Sequence, residues 1–83
     1  MLAVMNTIVV KAEWDTEAEV WTATSRDVPG LVAESSTLEE LRPKILAMIE
    51  DLIEEGVVSF SKGDIPVHII ASVTDSVKNP VAV

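Results

Sequence analysis

Apolar and polar residues alternate strictly over residues 7–14. Every second side chain there is apolar and would lie on one face: Ile8, Val10, Ala12 and Trp14. A period of two residues is typical of a half-buried β-strand. After a polar loop, a β-branched and aromatic run over residues 20–25 predicts a second strand. We expect Trp14 to lie opposite Trp21, because a slip of one residue would bury Thr22 and Thr24 in place of larger apolar side chains.

An apolar stripe with the spacing of an α-helix follows later in the chain. It comprises Leu38, Leu41, Ile45, Met48, Ile49 and Leu52. Thr37 and Glu40 form a capping box at its start, in which Thr37 caps the Glu40 amide and the Glu40 carboxylate reaches back to the Thr37 amide. Gly56 is expected to end the helix as its C′ residue. Pro43 removes one backbone hydrogen bond inside this pattern, so either the helix kinks there or a first turn gives way to the main helix.

Two further strands are predicted, one on each side of this helix. Pro29 and Gly30 suit the central positions of a type II turn, and residues 31–34 follow as a short third strand. Alternation over residues 66–74 predicts a fourth strand, which the helical crossover brings parallel to the first. The predicted fold class is therefore α+β, a four-stranded mixed sheet in the order 3-2-1-4 with one helix on one face.

A single helix can cover only one face of such a sheet. The opposite face would carry apolar side chains among threonines and charges, and exposed apolar surface of this kind often marks an interaction site. We therefore predict that Val9 and Ile70 contact a partner, and that the chain forms a homodimer. The whole chain, residues 1–83, is expected to be one domain with its core in residues 7–74. Residues 75–83 have little apolar periodicity and are expected to be a frayed tail.

The chain is strongly acidic, with 6 basic and 14 acidic residues and a formal net charge of −8. Because nucleic-acid binding depends on cations that neutralise phosphates, we expect no direct nucleic-acid partner. A basic protein suits this charge better, although acidity is also a common means of solubility. Four acids crowd the helix end, where the helix macrodipole is already negative: Glu50, Asp51, Glu54 and Glu55. We predict that they form a docking surface for a basic partner, and a solvated polar face is the alternative.

The residue types give little support for chemistry. The chain has no cysteine, which excludes disulfides and thiolate zinc sites, and His68 is its single histidine. The carboxylates are dispersed over solvent-facing positions, whereas two-metal catalysis needs them to converge. We therefore predict no catalytic residue, no metal and no cofactor, and expect that the protein is not an enzyme. The apolar start, residues 1–5, lacks a basic flank and is too short for a signal peptide or a membrane span, so we expect a cytoplasmic protein without a membrane partner.

Three segments carry a family resemblance: Trp14-Asp15, the run Trp21-Thr-Ala-Thr-Ser-Arg-Asp-Val-Pro-Gly-Leu31, and Ser36-Thr-Leu-Glu-Glu-Leu41. Together they resemble the N-terminal domain of HicB-type antitoxins, in particular the short single-domain branch, over roughly residues 7–74. The resemblance implies the sheet and helix described above, with partial similarity to ribonuclease H folds. It also implies a module that binds and blocks a small basic ribonuclease toxin. HicB antitoxins add a C-terminal DNA-binding domain, and because this sequence ends after the fourth strand we expect that domain to be missing. The alternative is a free-standing homodimeric domain with an unknown ligand or scaffold role.

Overall fold

The structure is a computed structural model that describes residues 7–60 and 63–81. Its elements are β1 (Ile8–Asp15), β2 (Val20–Thr24), β3 (Val32–Ser35), α1 (Leu38–Glu54) and β4 (Val67–Ser72). They form a four-stranded mixed sheet in the order β3-β2-β1-β4, with α1 packed on one face. The predicted α+β class and strand order are confirmed, and the strand ends differ from the predicted ones by one or two residues.

The β1–β2 hairpin has the predicted register. Trp14 lies opposite Trp21, and their rings meet edge to face with centroids 5.5 Å apart, a favourable arrangement for aromatic pairs. Asp15 closes the loop, because its Oδ1 accepts hydrogen bonds from the amides of Glu17 and Ala18 at 3.0 and 3.1 Å. The loop therefore returns the chain through local bonds, and the hairpin sets the alignment of both tryptophans.

The core lies between α1 and the sheet face that it covers. Its buried members are Ile8, Val10, Ala12, Ala23, Val28, Leu31, Ala33, Leu41, Ile45 and Ile49. Four side chains that were expected in the contact, Met48, Leu52, Val67 and Ile69, are partly buried and pack around this core. The predicted stripe is thus confirmed. Val28 in the Pro-Gly turn is fully buried, although the sequence indicated only a turn there.

The capping box at the start of α1 is only half formed. Thr37 Oγ1 accepts a hydrogen bond from the Glu40 amide at 3.1 Å, as predicted. The Glu40 carboxylate instead accepts a hydrogen bond from the Ser35 hydroxyl at 3.0 Å, so the predicted return contact to the Thr37 amide is wrong. Ser35 is a buried polar residue and needs such a partner, which explains why it takes this carboxylate.

Helix α1 runs through Pro43 as a single helix and ends as predicted. Gly56 has φ 78°, in the left-handed region that glycine adopts without strain. The Gly56 amide donates to the Ile53 carbonyl at 3.1 Å, and the Val57 amide donates to the Leu52 carbonyl at 3.0 Å. This pair of bonds is a Schellman motif, which stops the helix and fixes where its last turn lies.

Candidate functional site

The predicted acidic residues lie together at the C-terminal end of α1. We call Glu50, Asp51, Glu54 and Glu55 the acidic helix end. All four side chains are exposed, and the last turn of α1 contains no basic residue. In the described part of the chain the ion pair found is Lys11–Glu13, at 3.0 Å on a different element. Like charges three or four residues apart repel each other on a helix, so this group is locally unfavourable without a partner.

The net charge is distributed unevenly over the molecule. Helix α1 together with its C-cap residue carries six acids and two bases, a net charge of 2 − 6 = −4, which is half of the chain's −8. One of those bases, Lys44, donates through Nζ to the Glu34 carbonyl on β3 at 3.1 Å and so serves the sheet. The strongest negative potential is therefore at the end of the helix.

Two apolar side chains border the acidic helix end. Leu46 lies one helical turn before Glu50 and is 47% exposed, and Val57 follows the C-cap and is 49% exposed. An apolar centre with a charged rim is the usual composition of a protein interface. The sequence pattern did not single out these residues, because Leu46 lies at the flank of the buried stripe.

The other predicted contact residues, Val9 and Ile70, lie on the sheet face that α1 does not cover. They are 41% and 55% exposed. The ladder places one row across this open face, formed by Val32, Thr24, Lys11 and Ile70. The apolar residues of this row are at its ends, with a hydroxyl and an ammonium between them. The open face is therefore less continuous as an apolar surface than the alternation in the sequence indicated.

The structure does not bring the two groups of predicted contact residues together. The acidic helix end belongs to the layer on one side of the sheet, whereas Val9 and Ile70 point to the other side. A small globular partner that binds the helix end would not reach the open face. The two surfaces are separate candidates.

Side chains that the sequence did not single out hold the edge of the open face. Asp27 Oδ2 accepts a hydrogen bond from the Val9 amide at 2.8 Å, and the Ser25 hydroxyl donates to the Val9 carbonyl at 2.6 Å. The Asp27 amide in turn donates to Ser25 Oγ at 3.1 Å. These side chains replace the β2 backbone where β2 has ended at Thr24. Asp27, part of the segment that carries the family resemblance, thus has a structural role.

Two open clefts lie beside these elements. One, of about 600 Å³, is lined by Val9, Lys11, Thr24, Ser25, Arg26 and Asp27. The other, of about 570 Å³, lies against the tryptophan pair and the start of α1, with Glu39 and Asp75 in its wall. An anion is the natural ligand of a helix N-terminus, and these two carboxylates disfavour one there.

The described residues contain no group of three or more His, Cys, Asp or Glu side chains that could hold a metal ion. Within residues 7–60 and 63–81, no helix combines the length and the apolar content needed to cross a membrane. The surfaces described above are therefore suited to contacts with another protein. A catalytic role has no arrangement of side chains to support it in this part of the chain.

Comparison with known proteins gives a family. The model of the family described as "Domain of unknown function (DUF1902)" matches residues 7–79, nearly the whole described chain. The chain belongs to the DUF1902 family. The DUF1902 fold is also present in a crystal structure of the hypothetical protein TTHA1013 from the extremely thermophilic bacterium Thermus thermophilus. That protein is 43% identical, the match covers 88% of this chain and 99% of that chain, and the TM-score is 0.63. No curated protein matches the chain.

Proposed function

We propose that this DUF1902 chain is an antitoxin-like protein-binding module, which holds a small basic ribonuclease in an inactive complex through its acidic helix end. The observation that carries the proposal is the group of four exposed carboxylates at one end of α1, with no basic residue in the last turn. The resemblance to HicB-type antitoxins supplies the class of partner. A cytoplasmic location, where such a toxin meets RNA, belongs to the same proposal.

The charge arrangement suits a binding role. Complementary potentials speed the encounter of two proteins and disfavour partners of the wrong sign. In the complex, Lys and Arg side chains of the toxin would form charge-assisted hydrogen bonds with the carboxylates. They would also remove the like-charge repulsion that the free helix end carries. Leu46 and Val57 would supply the apolar contact at the border of this surface.

The proposal is for binding and not for an enzyme. The acids of the helix end are highly exposed, and catalysis by carboxylates needs groups that converge on a substrate or a metal. Inhibition of a ribonuclease requires only that a protein surface cover its active site. An acidic surface is suitable because the active site of a ribonuclease must itself attract phosphate.

The test replaces Glu50, Asp51, Glu54 and Glu55 together by Lys. The candidate partners are small basic proteins encoded beside this gene, and the measurements are binding kinetics and inhibition of RNA cleavage. We expect the wild type to bind one of them, and the variant to associate at least about tenfold more slowly with a weaker dependence on salt. Folding should be retained or slightly stabilised, because the new charges suit the helix C-terminus.

A matched control separates the site from the net charge. Replacing Glu17, Glu19, Glu39 and Asp75 by Lys also changes four exposed acids to bases, and both variants have a net charge of 0 in place of −8. We expect this control to bind nearly as fast as the wild type at physiological salt. If no neighbouring basic protein binds the wild type, or if both variants bind alike, the proposal is wrong.

The second candidate function is the free-standing homodimeric domain with a ligand or scaffold role. The outer edge of the sheet at β4 favours it, because that edge is open to another chain.

A further inference from the structure

We infer that two copies of this chain pair along the outer edges of β4, in antiparallel orientation about a twofold axis at Ile69, so that their two sheets become one. The inference goes beyond the proposed function, since it concerns the opposite end of the sheet from β3 and needs no toxin. The two contacts can coexist on one chain.

The hydrogen-bond register of β4 shows which of its backbone groups are open. Ile8 lies opposite Val67, and the Ile8 amide donates to the Pro66 carbonyl at 2.9 Å. In a parallel ladder, residues alternate between facing the partner strand and facing away from it. The amides and carbonyls of Val67, Ile69 and Ala71 therefore point away from β1. No residue in 7–60 or 63–81 forms a hydrogen bond with them.

The edge at β3 is protected where the edge at β4 is not. Strand β3 has only four residues, and Lys44 Nζ donates to the Glu34 carbonyl at 3.1 Å. Because Lys44 takes that carbonyl, an incoming strand would find one of its acceptors already used. Strand β4 has six residues and no such cover from the described chain. Proteins usually shield a long edge strand with charges, bulges or a covering element, and an edge without them is a site for strand pairing.

The charge of β4 suits a second copy of the same acidic chain. Residues 65–74 contain no Asp, Glu, Lys or Arg, whereas the chain as a whole has a net charge of −8. Two copies repel each other over most of their surfaces, and least along this edge. A basic partner protein would gain no electrostatic attraction here, so this edge and the acidic helix end select different occupants.

The side chains then fix the register. With Ile69 opposite Ile69 of the second copy, the three open residues of each edge form hydrogen-bonded pairs with those of the other. On the helix side every facing pair is apolar: Ile69 with Ile69, Val67 with Ala71, and Ile65 with Val73. Val73, 51% exposed in the single chain, thereby gains a partner. The register also accounts for the alternation over residues 66–74, which continues past the end of β4 at Ser72.

The open face is the alternative position for the second copy, and it is the less suitable one. Its central row places Thr24 and Lys11 between Val32 and Ile70. Pairing two such faces would desolvate the Lys11–Glu13 ion pair, which is exposed in the single chain. Edge pairing leaves that ion pair in water.

Sedimentation and hydrogen exchange of the unmodified chain test the inference first. We expect a dimer of the 9.0 kDa chain at micromolar concentration, and a tighter one at higher salt because screening weakens the repulsion between acidic copies. The amides of Val67, Ile69 and Ala71 should exchange at least about tenfold more slowly than the amide of Val32 on the other edge, and lose this protection on dilution. A monomer, or a dimer in which these three amides exchange freely, overturns the inference.

Cross-linking tests the register. The chain has no cysteine, so Ile69→Cys introduces a single thiol at the proposed twofold axis. Residues in a hydrogen-bonded antiparallel pair have Cα atoms about 5.5 Å apart, within the range of about 4.4–6.8 Å for disulfides. We expect mild oxidation to link most of the Ile69→Cys chains into covalent dimers. The control Ala71→Cys, on the same edge and face, should give at least about fivefold less.

Val9→Cys completes the cross-linking set, because it probes the open face. Preferential linking of Val9→Cys, or equal linking of Ile69→Cys and Ala71→Cys, would contradict edge pairing in this register. The outcome does not depend on a toxin, so a failure here is separate from a failure of the proposed binding role.

Discussion

The two faces of the sheet are made by alternate residues of the same strands, yet they differ sharply in burial. In β1, Val10 is 0% exposed, whereas Val9, the same residue type one position earlier, is 41% exposed. The difference comes from α1, which covers only one face. Alternation in a sequence therefore shows which residues share a face, and what covers that face must be learned from the other elements.

The comparison also explains why the two faces tolerate different residues. On the covered face, Ile8, Val10 and Ala12 stack with α1 in a closely packed aliphatic layer. On the open face, Lys11 and Glu13 hold each other in an exposed ion pair, which adds little to stability but keeps the surface in water. Each prediction below removes one element of this contrast.

The largest effect is expected from the centre of the covered face. Replacing Ile45, which is fully buried, with Ala should lower the free energy of unfolding by about 2–5 kcal/mol, through lost burial and the cavity left behind. Urea unfolding measures it. The neighbouring Leu46 is 47% exposed, so Leu46→Ala should lower the free energy by less than about 1 kcal/mol. Similar losses at the two positions would mean that the helix presents a different face to the sheet.

A smaller loss is expected where side chains close the edge of the open face. Asp27→Ala removes the acceptor of the Val9 amide, and because water can reach this exposed bond we expect a loss of about 1 kcal/mol. Asp27→Asn keeps an acceptor oxygen at the same place and should lose clearly less. Urea unfolding of the three proteins side by side is the measurement. Equal losses for Ala and Asn would show that the charge of Asp27, and not the hydrogen bond, is what matters there.

The elements of this fold were predictable because their signals are local. Alternation marks the strands, the stripe from Leu38 to Leu52 marks the helix, and Gly56 marks its end. The strand order also follows, since a hairpin and a helical crossover leave few arrangements open. The register of the hairpin needed only the two tryptophans to be placed together.

Contacts over longer distances were not predictable in the same way. Asp27 is eighteen residues from the Val9 amide that it accepts from, and no spacing in the sequence indicates that bond. Glu40 has two partners within reach, and only the burial of Ser35 decides between them. The acidic helix end was found from the sequence because it depends on spacing along one helix. The open edge of β4 needed the hydrogen-bond register, which a sequence does not contain.

The smallest effect tests the comparison between the two faces most directly. Val9 and Val10 are adjacent and identical, so Val→Thr at each position makes the same exchange of a methyl group for a hydroxyl on opposite faces. Val10→Thr buries a hydroxyl without a provided partner and should lower the free energy of unfolding by about 1–3 kcal/mol. Val9→Thr should change it by less than about 0.5 kcal/mol, because water can bind the new hydroxyl.

The pair of variants should be measured at several protein concentrations. If Val9→Thr loses as much as Val10→Thr, and the loss grows with concentration, something covers the open face in solution. A second copy would then sit face to face, as Val9 and Ile70 led us to predict from the sequence, and not along β4. If Val9→Thr stays close to the wild type at every concentration, the open face is in water and the sheet edge is left as the surface for pairing.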